Sequence, residues 1–263
     1  MGYKRLDPDD FVVSAQAITS TCWTGNVVNL TTFFTSSNQV SSISGKYYTN
    51  VFNADSGSAD RESQFQIAYG NKNGGGALAY NNAAAAGVST TSTIYGQYRS
   101  LVLEDENSDF IFGNFTGSSI YVISVERARY KESLLPGSLN LTIGKASKTI
   151  RLTDNSKDVT LPTYYGTQRA YQIVSGSNGA AYSGNGYTPA SGSYGLFLPD
   201  TSTIILNAAA LDDNSAGGGG INLGTVTTAN SAGNNNQRLF NAIVSGSNFG
   251  LNSEETITSD FVF

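Results

Sequence analysis

Ser119 to Asp154 reads SIYVISVERARYKESLLPGSLNLTIGKASKTIRLTD, and the fold class follows from it. Ile120 and Val122 fall on one side of an extended chain, Tyr121, Ile123 and Val125 on the other. Apolar residues on both sides predict a strand buried on both faces. After a charged hinge, Pro136-Gly137 supplies the fixed φ and the tolerance of positive φ that a type II turn requires. Leu139, Leu141 and Ile143 then alternate with Asn140 and Thr142, while Ile150 and Leu152 alternate with Thr149, Arg151 and Thr153. That pattern predicts a hairpin with one dry and one wet face, turning at Gly144-Lys145-Ala146-Ser147.

Outward from this stretch the chain reads as mainly β: antiparallel, sandwich-like sheets with long Gly/Ser/Asn-rich loops and at most one or two short helices. Residues 1–52 form an N-terminal arm with short strands, ending in Val27-Val28-Asn29-Leu30 and Phe33-Phe34 among polar runs. Residues 53–160 form a β-rich core domain with one helix. That helix is STIYGQYRSLVL, Ser92 to Leu103, where Ile94, Tyr95, Tyr98, Leu101 and Val102 make one stripe and Ser92 or Thr93 is the cap. Ala77 to Ala86 is a weaker helical segment, interrupted by Asn81-Asn82. Phe110-Ile111-Phe112 predicts another strand.

Residues 161–263 form a second β-rich region. In it Ile173-Val174-Ser175-Gly176-Ser177-Asn178 recurs as Ile243-Val244-Ser245-Gly246-Ser247-Asn248. The two copies are either equivalent strand-to-turn corners or a coincidence of a Ser/Gly-rich composition; two copies are too few for a solenoid. Phe261-Val262-Phe263 reads as a packed, strand-like end.

Composition restricts the chemistry. The 263 residues include no histidine and one cysteine, Cys22, so Ser-His-Asp and Cys-His systems, histidine-ligated metals and an intrachain disulfide are all excluded. Beside Trp23, Cys22 reads as a small core residue. Charged residues make up 13%, about half the usual ~25%. A net charge of −5 with no basic stripe excludes a duplex-binding surface. The start of the chain lacks a signal-peptide core, and no run approaches the ~20 apolar residues of a membrane helix. The expectation is synthesis in a cytoplasm, with no nucleic-acid or membrane partner.

Candidate sites fail one by one against simple chemistry. The Gly144-Lys145 turn has Leu139 where a Walker loop needs glycine and Ala146 where it needs Ser or Thr. Glu104 to Asp109 offers oxygen ligands, but Phe110 and Thr116 stand where an EF-hand requires Gly and Glu. Asp154, Asp158, Asp200, Asp212 and Asp213 would serve a carboxylate-pair glycosidase, yet all sit among turn residues, where Asp is chosen for local hydrogen bonds. No catalytic residue, metal site or cofactor is therefore expected. The densest charges, Glu126, Arg127, Arg129, Lys131 and Glu132, read as a structural ion-pair cluster. The 15 tyrosines suit either a sugar-stacking platform or a subunit interface.

Glu126-Arg127-Ala128-Arg129-Tyr130-Lys131-Glu132, then Leu135-Pro136-Gly137-Ser138 and Leu139 to Ile143, resembles virion structural proteins of tailed bacteriophages. The likeness is greatest to tail- or baseplate-associated proteins of T4-like cyanobacterial myoviruses. Tyr3-Lys4-Arg5-Leu6-Asp7-Pro8, Ser63 to Gly70, Ile94 to Arg99 and Phe240 to Phe263 echo the same family. The resemblance implies a non-enzymatic subunit of the virion, whose partners are other virion proteins and copies of itself. The alternative is a carbohydrate- or receptor-binding module of the tail or capsid surface. A depolymerase using two of the aspartates is the third reading.

Overall fold

The computed structural model describes residues 34–35, 48–74, 91–130, 133–182, 193–213, 219–227, 232–243 and 248–249. Cys22, Trp23, the 77–86 run, Lys131, Glu132 and the Phe261–Phe263 end lie outside them. The first strands are β1 (Phe34–Thr35), β2 (Tyr48–Phe52) and β3 (Ser63–Asn71), followed by helix α1 (Thr91–Leu103) and the hairpin β4 (Phe110–Phe112) and β5 (Phe115–Gly117). Next come β6 (Ser119–Val125), β7 (Leu139–Lys145), β8 (Lys148–Asp154), β9 (Thr163–Tyr165), β10 (Gln168–Ser177) and β11 (Ala180–Ala181). The chain continues through β12 (Gly195–Leu198), β13 (Thr203–Asn207), α2 (Ala208–Asp212), α3 (Ala232–Ala242) and β14 (Asn248–Phe249).

The protein is mainly β, and its large sheet is antiparallel throughout, in the order β1-β2-β3-β6-β13-β12-β10-β8-β7-β14. β9 and β11 add to β10, while β4 and β5 form a separate two-stranded ribbon. β3 and β7 stand six strand spacings apart, about 29 Å on a flat sheet. Helix α3, only about 10 Å across, nevertheless lies against β2, β3 and β7. The sheet therefore curls around α3.

Strand β6 lies in the interior of the sheet, and its period of two is obeyed to the residue. Tyr121, Ile123 and Val125 belong to the inner core, with Phe65, Ile67, Phe197, Ile204, Leu206 and, from α3, Leu239 and Ala242. Ile120 and Val122 belong to the outer core, with Leu196, Ile205, the α1 residues Ile94, Tyr95 and Val102, and Phe110 and Phe112. β7 and β8 supply Leu139, Leu141, Ile143 and Leu152 to the inner core alone, as a one-sided hairpin should. Thr153 departs from its expected wet face. It is fully buried, because the turn after β10 covers it and Gly179 N donates to its Oγ1 at 2.8 Å.

The helix expected from Ser92 begins at Thr91, so its cap is neither Ser92 nor Thr93. Thr91, Ile94, Tyr95 and Val102 are its buried residues, whereas Leu101 is half exposed. At 100° per residue Leu101 falls on the Ile94 margin of the stripe, about 20° from Ile94 but about two turns further along the helix, and about 80–120° from Thr91, Tyr95 and Val102. There are three α-helices among the described residues, more than the expected one or two. The sheet also runs through both sequence regions: β6, from 53–160, pairs with β13, from 161–263. The two regions share one sheet and one inner core.

Ile173 to Ser177 lies inside β10; of the second hexapeptide copy the described residues are Ile243, directly after α3, and Asn248, in β14. Both copies arrive at Asn140. Asn178 exchanges two hydrogen bonds with that side chain, at 2.8 and 2.9 Å, and Asn248 is its backbone partner across β7 and β14.

Candidate functional site

The charged hinge after β6 is built from backbone outward. Glu126 N donates to Gln64 O at 3.0 Å, and a single 3₁₀ turn, Arg127–Arg129, follows, with Arg129 N donating to Glu126 O at 2.8 Å. Arg127 folds back on its own turn: Nη1 donates to Tyr130 O at 2.7 Å, and the guanidinium lies 4.8 Å from the Tyr130 ring centroid. Arg129 forms its ion pair with Glu62, at the entry to β3. The cluster thus recruits a carboxylate 67 residues away that local spacing gave no means of naming. Leu134 N then donates to Pro199 O at 3.0 Å, tying the hinge to the β12–β13 turn.

Pro136-Gly137 turns as the sequence predicts. Gly137 has φ 87°, and Ser138 N donates to Leu135 O at 3.2 Å. The turn is held by Asp154, whose Oδ2 accepts from Gly137 N at 2.7 Å and from Ser156 N at 3.3 Å, in a fully buried position.

The carboxylates of Asp158, Asp212 and Asp200 are also engaged with backbone or arginine. Asp158 Oδ2 accepts from Ala181 N at 2.7 Å. Asp212 Oδ1 accepts from Gly224 N and Thr225 N at 2.8 and 2.9 Å. Asp213 is the residue that ends α2. Asp200 accepts from Arg169 N at 2.9 Å and from its Nε at 3.1 Å, and these bonds hold its carboxyl below the ordinary aspartate value. In the acidic loop Asp105 accepts from Ser108 Oγ at 2.6 Å and Asn107 N at 2.8 Å, which lowers its pKa in the same way. Asp109 pairs with Lys72 at 2.6 Å. Among the described residues no three acidic or thiol groups converge as metal ligands. A carboxylate fixed on backbone N–H groups is a turn-former.

Tyrosines divide into buried and exposed sets. Tyr69 and Tyr121 are fully buried 5.2 Å apart on the inner face. Tyr69 OH donates to Ser119 Oγ, and Tyr121 OH shares a 2.8 Å bond with Thr225 Oγ1. Burial raises the pKa of both, so both stay neutral above the usual tyrosine value. Tyr164 is exposed on β9 beside Arg169, its partner in register, and Tyr171 follows two residues later on the same face of β10.

Exposed apolar side chains accompany Tyr164. Leu161 is 77% exposed, Phe115 56%, Ile111 54% and Leu101 50%. The β9–β10 hairpin abuts the end of α1, where Gln168 Nε2 donates to Leu101 O at 3.1 Å. Apolar groups gathered into one exposed patch mark a surface for contact. Comparison with family models, curated proteins and solved structures finds no match.

Proposed function

We propose that this chain is a non-enzymatic structural subunit of a tailed bacteriophage virion, in the tail or baseplate, held by contacts with other virion proteins and with copies of itself. The observation that carries the reading is the contrast between its carboxylates and its surface. The candidate aspartates hold turns together, while Leu161, Tyr164, Ile111 and Phe115 stand in water on ordered strands and turns. Low charge and abundant Asn, Ser and Thr give the rest of the surface many hydrogen-bonding groups and little repulsion. The hinge at Arg127 and Arg129 is then framework: it fixes β6 relative to β3 and to the β7–β8 hairpin.

Protein identification in purified virions, separated into heads and tails, tests this directly. Fixed-copy recovery with tails is expected. Absence from particles would refute the assignment, and recovery with heads alone would relocate it. A second reading, a carbohydrate- or receptor-binding surface, is favoured by Tyr164, Arg169 and Tyr171 on one face beside Asp200. It expects glycan binding by the purified chain that is lost in Tyr164→Ala.

A further inference from the structure

The β7–β8 turn, which fails as a phosphate loop, borders a cleft of about 280 Å³ lined by Gly144, Lys145, Ala146, Leu223, Arg238, Asn241 and Ala242. Two cations meet there in a chain of net charge −5. Among the described residues neither has a carboxylate within 4 Å.

Both cations are fixed in place by neutral groups. Lys145 Nζ donates to the carbonyls of Asn222 and Leu223 at 2.7 and 2.8 Å, which leaves one ammonium N–H for a ligand; Asp212, bound to Gly224 N and Thr225 N, lies against the same loop but makes no ion pair with it. Arg238 Nη1 donates to Asn235 Oδ1 at 3.1 Å. Asn235 is itself immobilised by Val226, accepting from its N at 3.0 Å and donating to its O at 2.8 Å. On the rim, Asn241 Oδ1 accepts from Gln237 Nε2 at 2.8 Å, which leaves the Asn241 amide N–H groups as donors. The floor is apolar, from Leu223 and Ala242, both buried.

We propose that this cleft binds a carboxylate carried on a short aliphatic stem. The guanidinium fork matches a planar carboxylate, the ammonium adds charge, and the amide adds a directed bond, with the stem lying on Leu223 and Ala242. Such a group comes either from a small aliphatic diacid or from a glutamate side chain of a neighbouring subunit.

Titration of the full chain at low salt, followed by amide NMR shifts, uses glutarate, an N-acetylated Gly-Gly-Glu-Gly-Gly peptide and inorganic phosphate. Saturable binding of glutarate or peptide is expected, weakened about tenfold or more in Arg238→Gln and in Asn241→Asp. Asn241 is exposed, so its replacement leaves the core intact and places a repelling charge on the rim. Comparable affinities assign the site to a small diacid, and a peptide preference of about tenfold assigns it to a neighbouring chain. Absence of saturable binding by both, binding unchanged in both variants, or phosphate binding as tightly as glutarate would overturn the proposal.

Discussion

The two faces of the curled sheet are covered by different means. The inner face is enclosed by the sheet's own curvature together with α2, α3 and the 219–227 segment, and its strands from β2 to β7 contribute to one core. Among the described residues the outer face is covered over its middle strands, by α1 and the Phe110/Phe112 edge of the β4–β5 ribbon. Inner packing is confined on all sides. Outer packing is a helix and a ribbon laid over the middle strands, and on β8 the turn after β10 covers Thr153. A wall that cannot move leaves a larger cavity when a side chain is cut back than a helix that can settle.

The largest expected difference follows from that. Ile123→Ala and Ile120→Ala remove the same atoms from opposite faces of β6, both fully buried. Both should cost about 2–5 kcal/mol, the inner change toward the upper end, as read by denaturant unfolding. An outer cost equal to or above the inner one would break the contrast. Gly70→Ala sharpens it from the other side. The added Cβ would lie 2.8 Å from Tyr95 N, forcing α1 away from β3. A loss of about 1–3 kcal/mol is expected, with faster hydrogen exchange confined to α1 and its neighbours.

Alkaline titration probes the buried tyrosines, Tyr69 and Tyr121 on the inner face and Tyr95 on the outer one. Tyr69 and Tyr121 have raised pKa values in the folded state, so their neutral forms add stability that is fully present below the ordinary tyrosine value of about 10. As pH rises above that, the unfolded chain loses protons that the folded one keeps, and stability falls by at most about 1.4 kcal/mol per pH unit for each tyrosine. Phenolate absorbance should show a set of tyrosines that ionises only on unfolding, reduced by Tyr121→Phe. The smallest effect belongs to the surface pair Arg169–Asp200. Asp200 is depressed, so its contribution is present above the ordinary aspartate value and fades as pH falls through the folded value. Asp200→Asn should cost below about 1 kcal/mol near neutrality and flatten the acid limb of the stability curve.

Elements whose own residues decide their state were legible before any coordinates. β6, the β7–β8 hairpin, β4 and α1 carry their period in their side chains, and Pro136-Gly137 carries its turn. Helix α3 was not legible. AGNNNQRLFNA has three consecutive asparagines of poor helix propensity, and it is held by tertiary contacts instead: Leu239 and Ala242 in the core and Asn235 clamped on Val226. Strand order was equally hidden, since β6 pairs with strands far away on both sides in sequence. So was Glu62, because an ion pair 67 residues long has no local signature. The carboxylates were read as turn-formers from their neighbours, and their partners bear that out for Asp154, Asp158 and Asp212.

The interior position of β6 also sets a timetable. One edge finds β3 as soon as it is made, but the other waits for β13, about 80 residues later. At about 5–20 residues per second, a nascent chain carries the bare edge of this mostly apolar strand for several seconds to some fifteen. An unpaired strand of this composition is an invitation to pair with the wrong chain. Slow synthesis should therefore lower the soluble yield of this protein, and a holding chaperone should restore it.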